Sequence, residues 1–357
     1  MSIEYRPLAG ADLDARQGLF HLSFPETVGR PAGSQSHYTW KFRESPGDPP
    51  AYEFVGHDDG TLVAYYAALP FTYRIDGVTR TAGMVCDVMT HPTWRGQGLF
   101  TGIGRYATTE LAESGLAIVT GYPVRPEVLP GHLKVGWKIV QRMPVWLRPL
   151  RTRSLLPKRF SFLAPLFDPW LWLLQWRGGF TAGYEVRTMS AEAFLSPDRP
   201  SGDYADFLER WSAAVPNALA KDFDFLRWRL RAPGTGYQIA LLHFAGRLVG
   251  MAIARPTELQ GIRCLALLDV MIEPEGLQGA ARLHHALASM ARTSGLDAVA
   301  CMAHRRWARS YRFCAAGYLR TPAVFSLIVK KLDPELPDAS VYSEDRWHVF
   351  WLDSDDL

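Results

Sequence analysis

Cysteine is scarce in this 357-residue chain: Cys86, Cys264, Cys301 and Cys314 are the four, and no two stand in Cys-x-x-Cys spacing. That excludes a disulfide framework and a cysteine-built zinc site, and no metal is expected. The cysteines are expected to be reduced, in a cytoplasmic protein. Surplus charge is lacking too. A net charge of +3 at pH 7 is too small to make nucleic acid the main partner. The basic excess gathers between Arg148 and Arg159, where it reads as a solvated linker. Long apolar runs are missing as well. The opening Met1-Ser2-Ile3-Glu4-Tyr5-Arg6 reads as a first strand without a signal-peptide core. Phe162 to Trp176 is apolar, but Pro165, Asp168 and Pro169 break it before it could span a bilayer, so no integral membrane association is expected. With 48% hydrophobic residues, the chain is long enough for two domains, each with its own core.

What is present is a phrase that occurs twice. Cys86-Asp87-Val88-Met89-Thr90-His91-Pro92 is echoed by Leu268-Asp269-Val270-Met271-Ile272-Glu273-Pro274. Upstream, Tyr38-Thr39-Trp40-Lys41-Phe42-Arg43 is echoed by Leu226-Arg227-Trp228-Arg229-Leu230-Arg231. Downstream, Ser114-Gly115-Leu116 matches Ser294-Gly295-Leu296, and Gly136-Trp137 matches Gly317-Tyr318. Landmarks kept in one order indicate an internal duplication. Trp40 and Trp228 read as core anchors.

Each half reads as α+β. In the first, residues 3–8 predict a strand, 11–22 a helix, and 52–55, 62–69 and 78–90 strands around the turns at Asp59-Gly60 and Asp76-Gly77. A helix over 99–114 comes next, its apolar positions Leu99, Ile103, Ala107 and Leu111 at helical spacing, then a strand over 116–120. In the second half, strands are predicted over 184–189, 237–243, 248–255, 264–272 and 296–302, helices over 205–214 and 280–293, and a last strand over 347–351. The domains expected are 1–150 and 181–357, joined by an apolar and basic linker over 151–180.

Only the first copy continues into Thr93-Trp94-Arg95-Gly96-Gln97-Gly98. Glycines between a strand and a helix let backbone approach a ligand closely. The first helical amides are unpaired donors, and the helix dipole adds positive potential there. The combination suits a pyrophosphate, with Arg95 as an added cation.

On these residues the chain resembles the GNAT superfamily of acyl-CoA N-acyltransferases. The family pattern is a strand ending near Val-x-Pro, then Gln/Arg-x-x-Gly-x-Gly/Ala, then a helix. Val88 to Pro92 followed by Thr93 to Gly98 matches it, with Thr93 where the family prefers Gln or Arg. The likeness runs over roughly residues 1–145 and continues in Leu133-Lys134-Val135-Gly136-Trp137. It implies two tandem GNAT-like domains, each a mixed, mostly antiparallel sheet flanked by helices, the second degenerate and without CoA. It further implies acetyl-CoA or another acyl-CoA as co-substrate, held by Val88, Met89 and Thr90 along the strand and by Arg95, Gly96, Gln97, Gly98, Leu99, Phe100 and Thr101 around the loop. A primary amine of a small molecule would attack the thioester directly in a ternary complex. The resemblance offers two catalytic candidates. His132, four residues before Gly136, stands where many family members carry a tyrosine acid; its other reading is a packed histidine. Asp87 could act as base, or, since Asp269 repeats it in the copy without a loop, as scaffold. Two further readings stay open: a tRNA-dependent aminoacyl or peptidyl transferase of tandem-GNAT type, and a non-catalytic acyl-CoA sensor.

Overall fold

The computed structural model describes residues 3–123, 125–151, 169, 182–197 and 202–354. Along the chain run β1 (Glu4–Pro7), α1 (Leu13–Ser23), α2 (Gln35–Phe42), β2 (Tyr52–Asp58), β3 (Thr61–Ile75), β4 (Val78–Thr90), α3 (Leu99–Glu113), β5 (Ile118–Gly121), α4 (Leu129–Lys134) and β6 (Lys138–Pro149). Then come β7 (Tyr184–Ser190), α5 (Ala191–Phe194), α6 (Gly202–Ala213), β8 (Asn217–Leu219), α7 (Phe223–Arg229), β9 (Gln238–Phe244), β10 (Arg247–Leu259), β11 (Ile262–Ile272), α8 (Ala280–Thr293), β12 (Ala298–Met302), α9 (Arg305–Ser310), β13 (Leu319–Lys331), α10 (Asp338–Tyr342) and β14 (Trp347–His348). Apart from Arg151 and Pro169, the expected linker lies outside the described residues. Among the described residues no helix is long and apolar enough to cross a membrane.

Four hairpins are closed by two-residue turns with both residues at positive φ: Asp59-Gly60, Asp76-Gly77, Ala245-Gly246 and Gln260-Gly261. This is the turn whose twist matches that of the paired strands, and glycine enters its second position without strain. The last of the four carries no strong turn signal in its first residue, so the sequence pattern does not mark it. The expected closing strand is also shorter than predicted. Extended pairing stops at His348, and Trp351–Asp353 turns into a 3₁₀ segment.

The chain divides into two compact units, and neither is a contiguous half. Unit 1 comprises residues 1–141, 217–234 and 326–347; unit 2 comprises 142–216, 235–325 and 348–357. In unit 1, β1, β2, β3, β4 and β5 are neighbours in that order, β4 and β5 being parallel, and the end of β13 then pairs antiparallel with β5 through Ile328↔Gly121. In unit 2 the order is β7, β9, β10, β11, β12, with β11 and β12 parallel, and β6 then pairs antiparallel with β12 through Ala298↔Pro149. Each unit thus adds to its sheet a strand from the other sequence half, β13 beside β5 and β6 beside β12.

The duplication persists to the level of single backbone bonds. Leu116 N donates to Leu111 O as Leu296 N does to Ala291 O, and Ala117 N to Thr81 O as Asp297 N to Arg263 O. Likewise Trp137 N donates to His132 O and Tyr318 N to Phe313 O, which makes Phe313 the counterpart of His132. In unit 1 the core between α3 and the sheet holds Phe54, Tyr66, Val85, Ile103, Leu111 and Trp137. Trp40 and Trp228, expected as anchors, are both in unit 1. Their rings stack at 4.8 Å with 9° between planes, and each indole N–H donates to the other's carbonyl at 2.8 Å.

Candidate functional site: a cavity at the head of the third helix

Pairing between β4 and β5 runs from Ala82↔Ile118 to Val85↔Gly121 and ends there. Beyond that point β4 continues to Thr90 with its β5-facing backbone groups released. A cavity of about 880 Å³ opens against this free end. Its walls include Val88, Met89 and Thr90 from β4, and Arg95, Gly96, Gly98, Leu99, Phe100 and Thr101 from the loop and first turn of α3. Nine of the ten residues expected to bind cofactor therefore line one cavity. Gln97 does not; it is exposed on the turn.

The loop geometry explains its composition. Gly96 and Gly98 take φ of +78° and +83°, and a Cβ on Gly96 would meet nothing within 4 Å, so conformation and not crowding calls for glycine there. Gly98 is the N-cap of α3, and the first ladder bond runs from Gly102 N to Gly98 O at 2.9 Å. The amides of Leu99, Phe100 and Thr101 precede the ladder at the positive end of a 15-residue helix. Trp94 fixes the start of the loop by donating to Asp58 at 3.0 Å. Phe100 packs against Gly131, where a Cβ would lie 2.5 Å from its ring.

Further wall residues escape any sequence pattern: Ser23 and Phe24 at the end of α1, with Arg125, Glu127 and Lys134 from the segment after β5. Arg125 donates to Glu26 at 2.5 Å and to Ser23 O at 3.1 Å, and its guanidinium lies over the Phe24 ring. No short motif marks them, because they meet only through tertiary packing.

The two catalytic candidates, His132 and Asp87, are not among the cavity's lining residues. His132 is buried between the rings of Phe100 and Trp137, edge-on to each at 5.0 Å, and does not line the cavity. Burial pushes its imidazole down to about 4. A ring that is neutral at pH 7 holds no imidazolium proton to give a leaving thiolate. Asp87 accepts from Lys41 at 3.0 Å and from Arg16 at 3.1 Å, and these cations hold its carboxyl below the usual range despite burial. A carboxylate so stabilised is a weak base.

Among the described residues, unit 2 has no equivalent of the loop geometry. After β11, Glu273 leads into a 3₁₀ segment, Pro274–Gly279, and the N-cap of α8, Gly279, is right-handed at φ −81°. Tyr184 packs on this end: a Cβ on Gly279 would lie 2.3 Å from its ring, and its hydroxyl donates to Glu275 O at 2.8 Å. Glu273, 3% exposed, places a carboxylate just before the helix, bonded to Arg210 and Arg247.

An open strand end facing a glycine-capped helix start is an arrangement suited to an extended ligand with an anionic group. Residues 4–140 match the family described as Acetyltransferase (GNAT) domain. The match covers the part of the chain that holds the cavity and the glycine loop. Solved structures agree over its length. A GCN5-related N-acetyltransferase from Anabaena variabilis superimposes with a TM-score of 0.66 at 12% identity, over 93% of this chain and 73% of that one. A tandem GNAT protein from the clavulanic acid biosynthesis pathway gives 0.59 at 16% identity, over 94% and 100%. Saccharomyces cerevisiae N-myristoyltransferase gives 0.58 at 12%, over 93% and 79%. The fold is that of a tandem GNAT protein. No curated protein sequence matches the chain.

Proposed function

We propose that unit 1 transfers an acyl group, acetyl in the first instance, from acyl-CoA to a primary amine of a small molecule. The observation that carries this is the shared cavity of Val88–Thr90 and the Gly98-capped start of α3. The amides of Leu99, Phe100 and Thr101 hold the pyrophosphate. Backbone groups of Val88 to Thr90 align the pantetheine arm and polarise the thioester carbonyl. An unprotonated amine then attacks that carbon: the C–N bond forms, the C–S bond breaks, and the amine's proton passes to solvent. A thiol of ordinary pKa, about 8.5, leaves readily as thiolate, so no side-chain acid is required. Rate comes from positioning and from hydrogen bonds to the developing oxyanion. Unit 2, its helix start occupied by Tyr184, takes no CoA.

Thiol release from acetyl-CoA, followed across a panel of small primary amines, tests this reading. The expected result is amine-dependent release with N-acetylated product by mass spectrometry. Tight CoA binding without turnover on any amine would place the protein among acyl-CoA sensors instead. Transfer from charged tRNA without acyl-CoA would replace the donor.

A further inference from the structure

We propose that Asp87, Arg16 and Lys41 are positioning residues for acyl-CoA: an ion triad that holds a bulge in β4 and so aims the Val88–Thr90 backbone into the cavity. The inference rests on reading that cavity as the acyl-CoA site.

Between β3 and β4 the register is regular from Ile75↔Val78 to Ala67↔Cys86, then shifts, and pairing resumes at Tyr65↔Met89 and Ala64↔Thr90. Two residues, Asp87 and Val88, therefore stand opposite the single residue Tyr66. A bulge of this kind bends its strand and re-aims the residues beyond it. Val88 in the bulge and Met89 and Thr90 beyond it all line the cavity. Asp87 adopts φ +48° within the bulge. Aspartate tolerates this left-handed region better than most residues, and the bulge holds it there.

The surroundings are two helices. Arg16 of α1 donates to one carboxylate oxygen of Asp87 and Lys41 of α2 to the other, with side-chain exposures of 4% and 6% against 11% for Asp87. Arg16 is itself fixed, its guanidinium 4.3 Å from the centre of the Tyr38 ring and 5.0 Å from that of Tyr65. Two separate elements thus grip one side chain at the bend. A buried ion pair is weak evidence for stability, since apolar packing often serves as well, but it fixes one geometry. The geometry fixed here decides where the backbone of Val88 points. The same helix α1 ends at Ser23, which lines the cavity with Phe24, so the triad ties the Val88–Thr90 strand to a second element of the cavity's lining.

The test uses the full chain and acetyl-CoA. Asp87→Asn keeps side-chain shape and tolerates positive φ while removing the charge. Lys41→Met removes one grip, and Lys41→Arg restores a cation. Expected are folded variants, cooperative in thermal unfolding, with acetyl-CoA affinity weakened on the order of tenfold to a hundredfold in Asp87→Asn and Lys41→Met. Lys41→Arg recovers most of the loss. The double variant Asp87→Asn/Lys41→Met is no worse than the poorer single one, and KM for acetyl-CoA rises more than kcat falls. A folded Asp87→Asn protein that binds acetyl-CoA like wild type overturns the inference. Should Asp87→Asn not fold, Lys41→Met decides: unchanged affinity overturns the triad, and a loss recovered in Lys41→Arg supports it. Wild-type protein that binds no acetyl-CoA removes the reading of the cavity itself, a separate failure.

Discussion

Gly98→Asp is expected to weaken acetyl-CoA binding at least about 100-fold while leaving the fold intact, as read by calorimetric titration beside far-ultraviolet circular dichroism. Gly98 caps α3 at φ +83°, and a Cβ there would meet only Thr101 Oγ1, at 3.9 Å. The substitution is therefore not a packing insult. Aspartate is among the residues that tolerate the left-handed region, so the backbone penalty stays modest. What changes is charge: a carboxylate enters the place where helix amides and dipole favour a phosphate. Gln278→Asp is the matched control. Gln278 occupies the equivalent turn of unit 2 and is exposed there, so its replacement should leave binding unaltered. Gly279 would be a poor control, because any side chain would strike the Tyr184 ring.

His132→Phe is expected to keep turnover and to make the protein more tolerant of acid. Phe313 already fills the counterpart position in unit 2, so an aromatic ring of this size suits the site. In the folded protein burial holds His132 at about 4, against 6.5 in the unfolded chain. Above pH 6.5 the ring is neutral in both states and makes no difference. As pH falls below 6.5 the unfolded chain binds a proton that the folded chain refuses, and stability drops until the folded ring titrates near 4. At about 1.4 kcal/mol per unit the full loss is about 3 kcal/mol. His284, pushed to about 4 by burial, and His285, also lowered by burial, act in the same direction, so the variant removes one contribution of three among the described residues. Urea denaturation at pH 7 and pH 5 measures the difference, with the variant losing less between them. A general acid contributes 10²–10⁴-fold to rate. A loss of that order in His132→Phe, with acetyl-CoA affinity unchanged, would restore the acid role denied to it here.

The loop is legible in the sequence because its chemistry is local. Gly96, Gly98 and the head of α3 are adjacent in the chain, and the positive φ that glycine permits is what the cavity needs. The hairpins at Asp59-Gly60 and Asp76-Gly77 are legible for the same reason. The states of His132 and Asp87 are not legible in the sequence, because packing and partners from other elements set them. Phe100 and Trp137 enclose the one, and Arg16 and Lys41, from two separate helices, hold the other ionised. No spacing rule announces such partners. The strand exchange is hidden differently. β6 and β13 each follow the strand–helix–strand core of their own half in sequence, as a duplication predicts, and only register shows Ile328 beside Gly121 and Pro149 beside Ala298. The repeat is plain in the sequence; which unit each last strand joins is not.

On this reading one copy of a duplicated fold binds acyl-CoA, and the other has its helix start filled. Calorimetric titration of the full chain with acetyl-CoA separates the two copies without further assumption. The predicted result is a single site per chain, abolished by Gly98→Asp and untouched by Gln278→Asp. Two equal sites per chain, or one site that survives Gly98→Asp, would contradict it.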